Sequence, residues 1–194
     1  MIYESADRIL DASSLDNKES EGLAILLYRN FEMVALQVDL KGAVKETVSL
    51  DPANVKPSRD PRAELTARGA SVSVQLPGKV CEFSWEVPGE VKCHVEKPPP
   101  PDKSGWRGQT PLSSPCDGSS WKLQYSGGDP NAREVLQVVP SGAVWETSAA
   151  VLSEFPGPIV GTNGERNPNS ALVIARNLRT GNYEIYKIIL ACGN

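Results

Sequence analysis

The stretch Cys81-Glu82-Phe83-Ser84-Trp85-Glu86-Val87-Pro88-Gly89-Glu90-Val91-Lys92-Cys93 decides how the chain is read. Pro88-Gly89 is a turn signal, because proline presets φ at one turn position and glycine accepts a positive φ at the next. On either side, apolar and polar residues alternate as in a half-buried strand. A hairpin that sets Cys81 opposite Cys93 centres on Val87, so Pro88-Gly89 falls just past the centre. That pairing requires an odd-numbered loop of about three to five residues, with Gly89 at or near its end. The expectation is a cross-strand disulfide, Cys81–Cys93.

The remaining cysteines are Cys116 and Cys192, which would then form a second bridge from the start of the second half to the C-terminal end. None of the four sits in a C-x-x-C pair, and His94 is the single histidine. Zinc ligation and haem attachment both lack their spacing, so no metal and no cofactor is expected. Two disulfides point to an oxidising compartment: extracellular, or periplasmic and cell-envelope. Met1-Ile2-Tyr3-Glu4-Ser5 has neither the positive region nor the apolar core of a signal peptide, so Met1 reads as a start placed ahead of a mature sequence.

Of the 194 residues, 40% are hydrophobic and 23% charged, a globular balance. The net charge of −4 offers no basic surface for nucleic acid. No run of about 18 apolar residues is present, so no membrane-spanning helix is expected. Sixteen glycines and sixteen prolines favour many short elements joined by turns.

The spacing of Ala6, Ile9 and Leu10, with Ser5 as a candidate cap, predicts one short N-terminal helix within residues 4–14. Strand patterning follows. Leu23–Tyr28 is a continuous apolar run, Val34, Leu36, Val38 and Leu40 alternate, and Val44, Val48 and Leu50 come after Lys41-Gly42. These form a three-stranded meander. Val72, Val74 and Leu76 alternate strictly before Pro77-Gly78 turns into the disulfide hairpin. Pro52, Pro57 and Pro61 bar a central strand from residues 51–61. Pro98-Pro99-Pro100-Pro101 favours stiff polyproline II. The chain therefore divides into an N-terminal β domain at 1–96, a proline-rich linker at 97–115 and a C-terminal β domain at 116–194. In the last, Trp121, Leu123 and Tyr125 alternate, Val135–Val139 reads as a strand, and Ile159-Val160 is a short one. Residues 161–169 read as a polar loop. Ser170–Leu178 and Tyr183–Ala191 make a hairpin around Gly181-Asn182. The fold class is all-β, with short antiparallel strands in two small disulfide-stapled halves, sandwich- or barrel-like. A small β-propeller of four-stranded blades gives the same local signals, and at about 40–45 residues per blade the chain could supply four.

The candidate chemistry is thin. Glu82, Glu86 and Glu90 could supply a paired general acid and base, yet a solvated sheet face gives the same spacing. His94 on a strand beside a disulfide reads as an ordinary sheet residue, not a relay member. Thr162–Asn169 is rich in oxygen ligands but lacks the acidic alternation of a calcium loop. Gly127-Gly128-Asp129 matches no phosphate loop. No catalytic residue is assigned. Of four tryptophans, Trp121 alternates with core residues, whereas Trp85 near a hairpin tip and Trp106 in the linker are the candidate exposed anchors for a partner. The expected function is a secreted or envelope-associated, non-catalytic binding or structural module. Its partner would be a protein or a second copy of itself, through open strand edges. The alternatives are a carbohydrate-binding module using tryptophan faces, or a polysaccharide hydrolase using two carboxylates.

Overall fold

The computed structural model describes residues 1–17, 20–30, 32–50, 63–76, 78–95, 107–125, 136–141, 150–152 and 155–192. The chain is all-β, and its described strands form four antiparallel sheets of four strands each. The chain divides into two compact units, Asp7–Pro100 and Tyr3–Ala6 together with Pro101–Asn194.

The first unit contains two meanders. One comprises β2 (Arg8–Asn17), β3 (Ser20–Arg29), β4 (Glu32–Asp39) and β5 (Val44–Leu50), in that order. The other comprises β6 (Glu64–Arg68), β7 (Ser71–Leu76), β8 (Lys79–Ser84) and β9 (Val87–Val95). The turns follow the sequence signals. Gly42, Gly69 and Gly78 adopt φ of 82°, 61° and 77°, which a side chain would resist, and Asn30 takes φ 48° between β3 and β4. The sheets share one core, in which Leu26, Ala35, Val48 and Leu50 meet Leu65, Val72, Val74, Leu76, Cys81 and Phe83. Fully burying each large side chain is worth about 1.5–3 kcal/mol.

The N-terminal helix expected within residues 4–14 is absent. Those residues form β1 (Tyr3–Ser5) and most of β2, so the expected three-stranded meander has four strands. A β-bulge produced the false helical spacing. Ile9 pairs with Leu27 and Asp11 with Leu26, which leaves Leu10 as the extra residue. Two neighbouring apolar residues are therefore buried without alternation.

The bulge also aims Asp11 at the second sheet. β6 is that sheet's edge strand, and its outward amides would be buried unpaired. Leu65 N donates to Asp11 Oδ2 at 2.6 Å, and Ala67 N donates to Ser13 Oγ at 3.3 Å. Asp11 Oδ1 also accepts from Ala12 N at 2.8 Å.

The second unit also contains two sheets. One comprises β10 (Arg107–Ser113), β11 (Ser120–Tyr125), β12 (Leu136–Pro140) and β13 (Ala150–Leu152). The other runs β1, β16 (Tyr183–Ile189), β15 (Ser170–Arg176), β14 (Ile159–Gly164), so the N-terminal strand completes a sheet of C-terminal strands. Three successive four-stranded meanders, and a fourth sheet in which β1 completes the β14–β16 meander, are the blade-like pattern weighed above as the propeller alternative. The shared core joins Leu112, Leu123, Tyr125, Leu136 and Val138 to Phe155, Ile159, Ala171, Val173 and Ala175. β10 lies within the stretch read as linker, and β14 reaches Gly164, inside the stretch read as polar loop. Pro111 is tolerated in β10 because that strand is at the sheet edge. The proline-rich stretches 51–61 and 98–101 and the segment Ala143–Ser148 lie outside the described residues.

Both disulfides are formed. Cys81 and Cys93 are direct cross-strand partners with Cα atoms 4.1 Å apart, and Cys116–Cys192 spans 5.5 Å. The loop of the first hairpin differs from expectation. Ser84 pairs with Val87, so the turn is the two residues Trp85-Glu86. The mismatch is absorbed as a bulge in β9 between Val87 and Lys92, where Pro88-Gly89 lies. Burial of Trp85, whose backbone N–H donates to Ala70 O at 3.0 Å, draws the turn to that earlier position.

Asp11→Ala removes an acceptor from two buried amides and should lower unfolding stability by about 2–3 kcal/mol. Urea denaturation should show a lower midpoint at unchanged slope, and a midpoint equal to wild type would refute the coupling role.

Candidate functional site

Strand alternation in the β6–β9 sheet sends Leu65, Val72, Val74 and Phe83 to the core and a polar set to the opposite face. The register places that set in two rows, each crossing all four strands. Thr66, Ser73, Glu82 and Lys92 are successive neighbours in one, and Arg68, Ser71, Ser84 and Val87 in the other. Together with Glu90 they line an open groove of about 660 Å³.

The groove's polar groups are unevenly used. Lys92 Nζ lies 3.0 Å from Glu90 Oε1, with both side chains exposed, so the pair contributes under about 1 kcal/mol. Ser84 Oγ accepts from Glu86 N at 3.2 Å. Among the described residues, the side chains of Thr66, Arg68, Ser71, Ser73 and Glu82 make no hydrogen bond or ion pair.

Of the glutamates singled out by sequence, Glu82 and Glu90 line the groove, whereas Glu86 occupies the hairpin turn and is exposed. The exposure expected for Trp85 is corrected. It is 5% exposed and stands edge-on to Phe83, with ring centroids 5.0 Å apart. A hairpin tip folded onto the core buries the ring, so Trp85 cannot be a surface anchor. Among the described residues, its Nε1 has no hydrogen-bond partner. Trp106 and the Gly127-Gly128-Asp129 stretch lie outside the described residues. Trp121 is half-buried and donates from Nε1 to Ser119 Oγ at 2.7 Å. His94 is exposed on β9 opposite Val80. Among the described residues, no group of three His, Cys, Asp or Glu side chains could hold a metal ion. Some groups of the oxygen-rich segment after Thr162 are used internally, whereas Asn169 Oδ1 is buried with no hydrogen-bond partner among the described residues. Asn167 O accepts from Ser170 N at 3.0 Å, and Glu165 pairs with Lys187 at 3.0 Å.

Sequence reasoning missed a second polar cluster, on β16. Glu184, 5% exposed, accepts from Asn177 Nδ2 at 2.7 Å and from the Tyr186 hydroxyl. Asn177 Oδ1 accepts from Arg179 N at 2.9 Å and Thr180 N at 3.2 Å, fixing the hairpin loop. Glu4, cross-strand from Glu184, accepts from Asn182 Nδ2 at 2.6 Å. Burial raises the Tyr186 pKa above the usual phenol range, aided by the hydrogen bond to Glu184 and the negative charges of Glu184 and Glu4. Glu184 and Tyr186 lie two apart on one strand face, a signal present in the sequence. Every group in the cluster has a local partner, so it braces the hairpin.

No protein-family model matches the chain, and no curated protein matches it. Among similar solved structures is one described as the Dos1 propeller, at 10% identity and a TM-score of 0.36. The similarity covers 95% of this chain and 43% of that one, so this chain spans less than half its length. That likeness adds nothing to the sheet topology described above. Among the described residues, no helix is long and apolar enough to cross a membrane.

A raised folded-state pKa gives stability that is complete below the unfolded tyrosine value, near 10, and lost as pH rises above it. The stability advantage of wild type over Tyr186→Phe should therefore shrink between pH 9 and the most alkaline pH at which folding is reversible. An advantage constant in urea titrations across that range would contradict it.

Proposed function

We propose that this chain is a secreted or cell-envelope binding module without catalytic activity, with the outer face of the β6–β9 sheet as its binding surface. A self-assembling subunit falls in the same class. One observation carries the reading: Arg68, Glu82 and three hydroxyl side chains face an open groove with no partner among the described residues. Surface side chains ordinarily satisfy one another or water. Those facing the groove stand on a cross-linked sheet, so the backbone that carries them is fixed before a ligand binds. The Cys81–Cys93 bridge joins the two strands that carry Glu82 and Lys92. The disulfides also support an oxidising compartment.

A groove-filling variant tests the surface. Wild-type protein should co-sediment with cell-envelope fragments of the organism that makes it, and Ser73→Trp should not, while keeping the wild-type melting temperature. Sedimentation unaffected by Ser73→Trp would remove the groove from consideration. Release of reducing sugar by wild type, abolished in Glu82→Gln, would overturn the non-catalytic reading.

The compartment has its own test. Natively produced protein should take up no alkylating reagent before reduction and one group per cysteine after it, read by intact mass. Labelling before reduction would contradict the location.

A further inference from the structure

We infer that the groove over β6–β9 takes an acidic saccharide, a short chain of sugar rings with a uronate at one end. This rests on the groove being the binding face. Arg68 presents only donors, in a planar fork that matches a carboxylate bidentately. Lys92 lies 3.0 Å from Glu90, which offsets its charge, and Arg68 is the lining cation without a partner among the described residues. Glu82 presents only acceptors, and neighbouring sugar hydroxyls can donate to both its oxygens. Thr66, Ser71 and Ser73 lie between these charges and can both donate and accept. By register, Arg68 adjoins Ser71, Thr66 adjoins Ser73, and Ser73 adjoins Glu82. From β6 to β8 the span is two strand spacings, about 10 Å. A ligand that meets this order carries an anion at one end and a run of hydroxyls after it, which a uronate-containing oligosaccharide does.

A peptide suits the groove less well. Peptide recognition uses pockets for apolar anchors. Of the apolar lining residues, Val72 and Phe83 are only 2% and 6% exposed, and Val87 alone stands out at 57%.

The test maps binding to the full chain by amide resonances, using three probes. These are a short oligosaccharide ending in one uronate (the oligouronate), the same oligosaccharide with its carboxyl group reduced to an alcohol, and a mixture of tripeptides. The oligouronate should shift Arg68, Ser71, Ser73 and Glu82 and bind at least about 10-fold more tightly than the reduced sugar. Arg68→Ala should weaken oligouronate binding by about 10- to 100-fold and the reduced sugar by less than about 10-fold, so that the discrimination between the two is lost. Arg68→Lys should recover only part of the loss, because the fork is gone. Glu82→Gln should weaken both saccharides. Equal binding of the two saccharides, discrimination that survives Arg68→Ala, or no response to the oligouronate each overturns the ligand assignment. Tripeptides shifting these same resonances in place of saccharides would refute the saccharide and leave the binding face standing. An oligouronate that shifts only other residues would overturn both.

Discussion

The Asp11 carboxylate accepts a hydrogen bond from the outward amide of β6, and the placement of the second sheet depends on that contact. An edge strand exposes amides at every second residue, and burying them without acceptors costs about 1–3 kcal/mol each. Asp11 and Ser13 carry the same two-residue period on β2, so two side chains answer two amides. The bulge at Leu10 lets an apolar side chain and a carboxylate serve the same seam. Leu65 and Ala67, the residues so anchored, alternate with Thr66 and Arg68. Fixing one face of β6 therefore fixes the position of two residues that line the groove. The other unit joins its sheets with different groups: Thr110 donates to Thr162 Oγ1 at 2.9 Å, and Ser113 N donates to Pro168 O at 2.6 Å.

The sheet-built character was legible because period-two patterning and glycine turns coincide along most of the chain. The alternation at Val72, Val74 and Leu76 and the turns at Gly42, Gly69, Gly78 and Gly181 are local signals that tertiary packing did not override. Both disulfides followed from an even cysteine count and one pairing argument. β2 was misread because a bulge replaces alternation with a spacing that mimics a helix. β10 was missed because Gly108 and Pro111 look like linker residues, and only its edge position makes them acceptable. The hairpin turn was placed late because Pro88-Gly89 is the stronger turn signal, yet burial of Trp85 outweighed it.

The candidate site was legible only in part. Glu82 and Glu90 were visible as carboxylates near the hairpin, but the residues that give the groove its chemistry come from β6 and β7. Ser71 and Ser73 were the unremarked polar half of a well-patterned strand. Arg68 stood in a turn signal. Bringing them beside Glu82 requires the register of three strands, which no single segment specifies. Exposure of Trp85 was inferred from its place in the chain, whereas its burial depends on which way the tip folds.

The pairing of Tyr3 with Ile185 bears on how the molecule is made. As the chain leaves the ribosome, the Asp7–Pro100 unit can complete both of its sheets early, since all their strands lie within it. β1 emerges before any of them and has no partner until β16 follows, almost the whole chain later. Closure of its sheet therefore waits for β16.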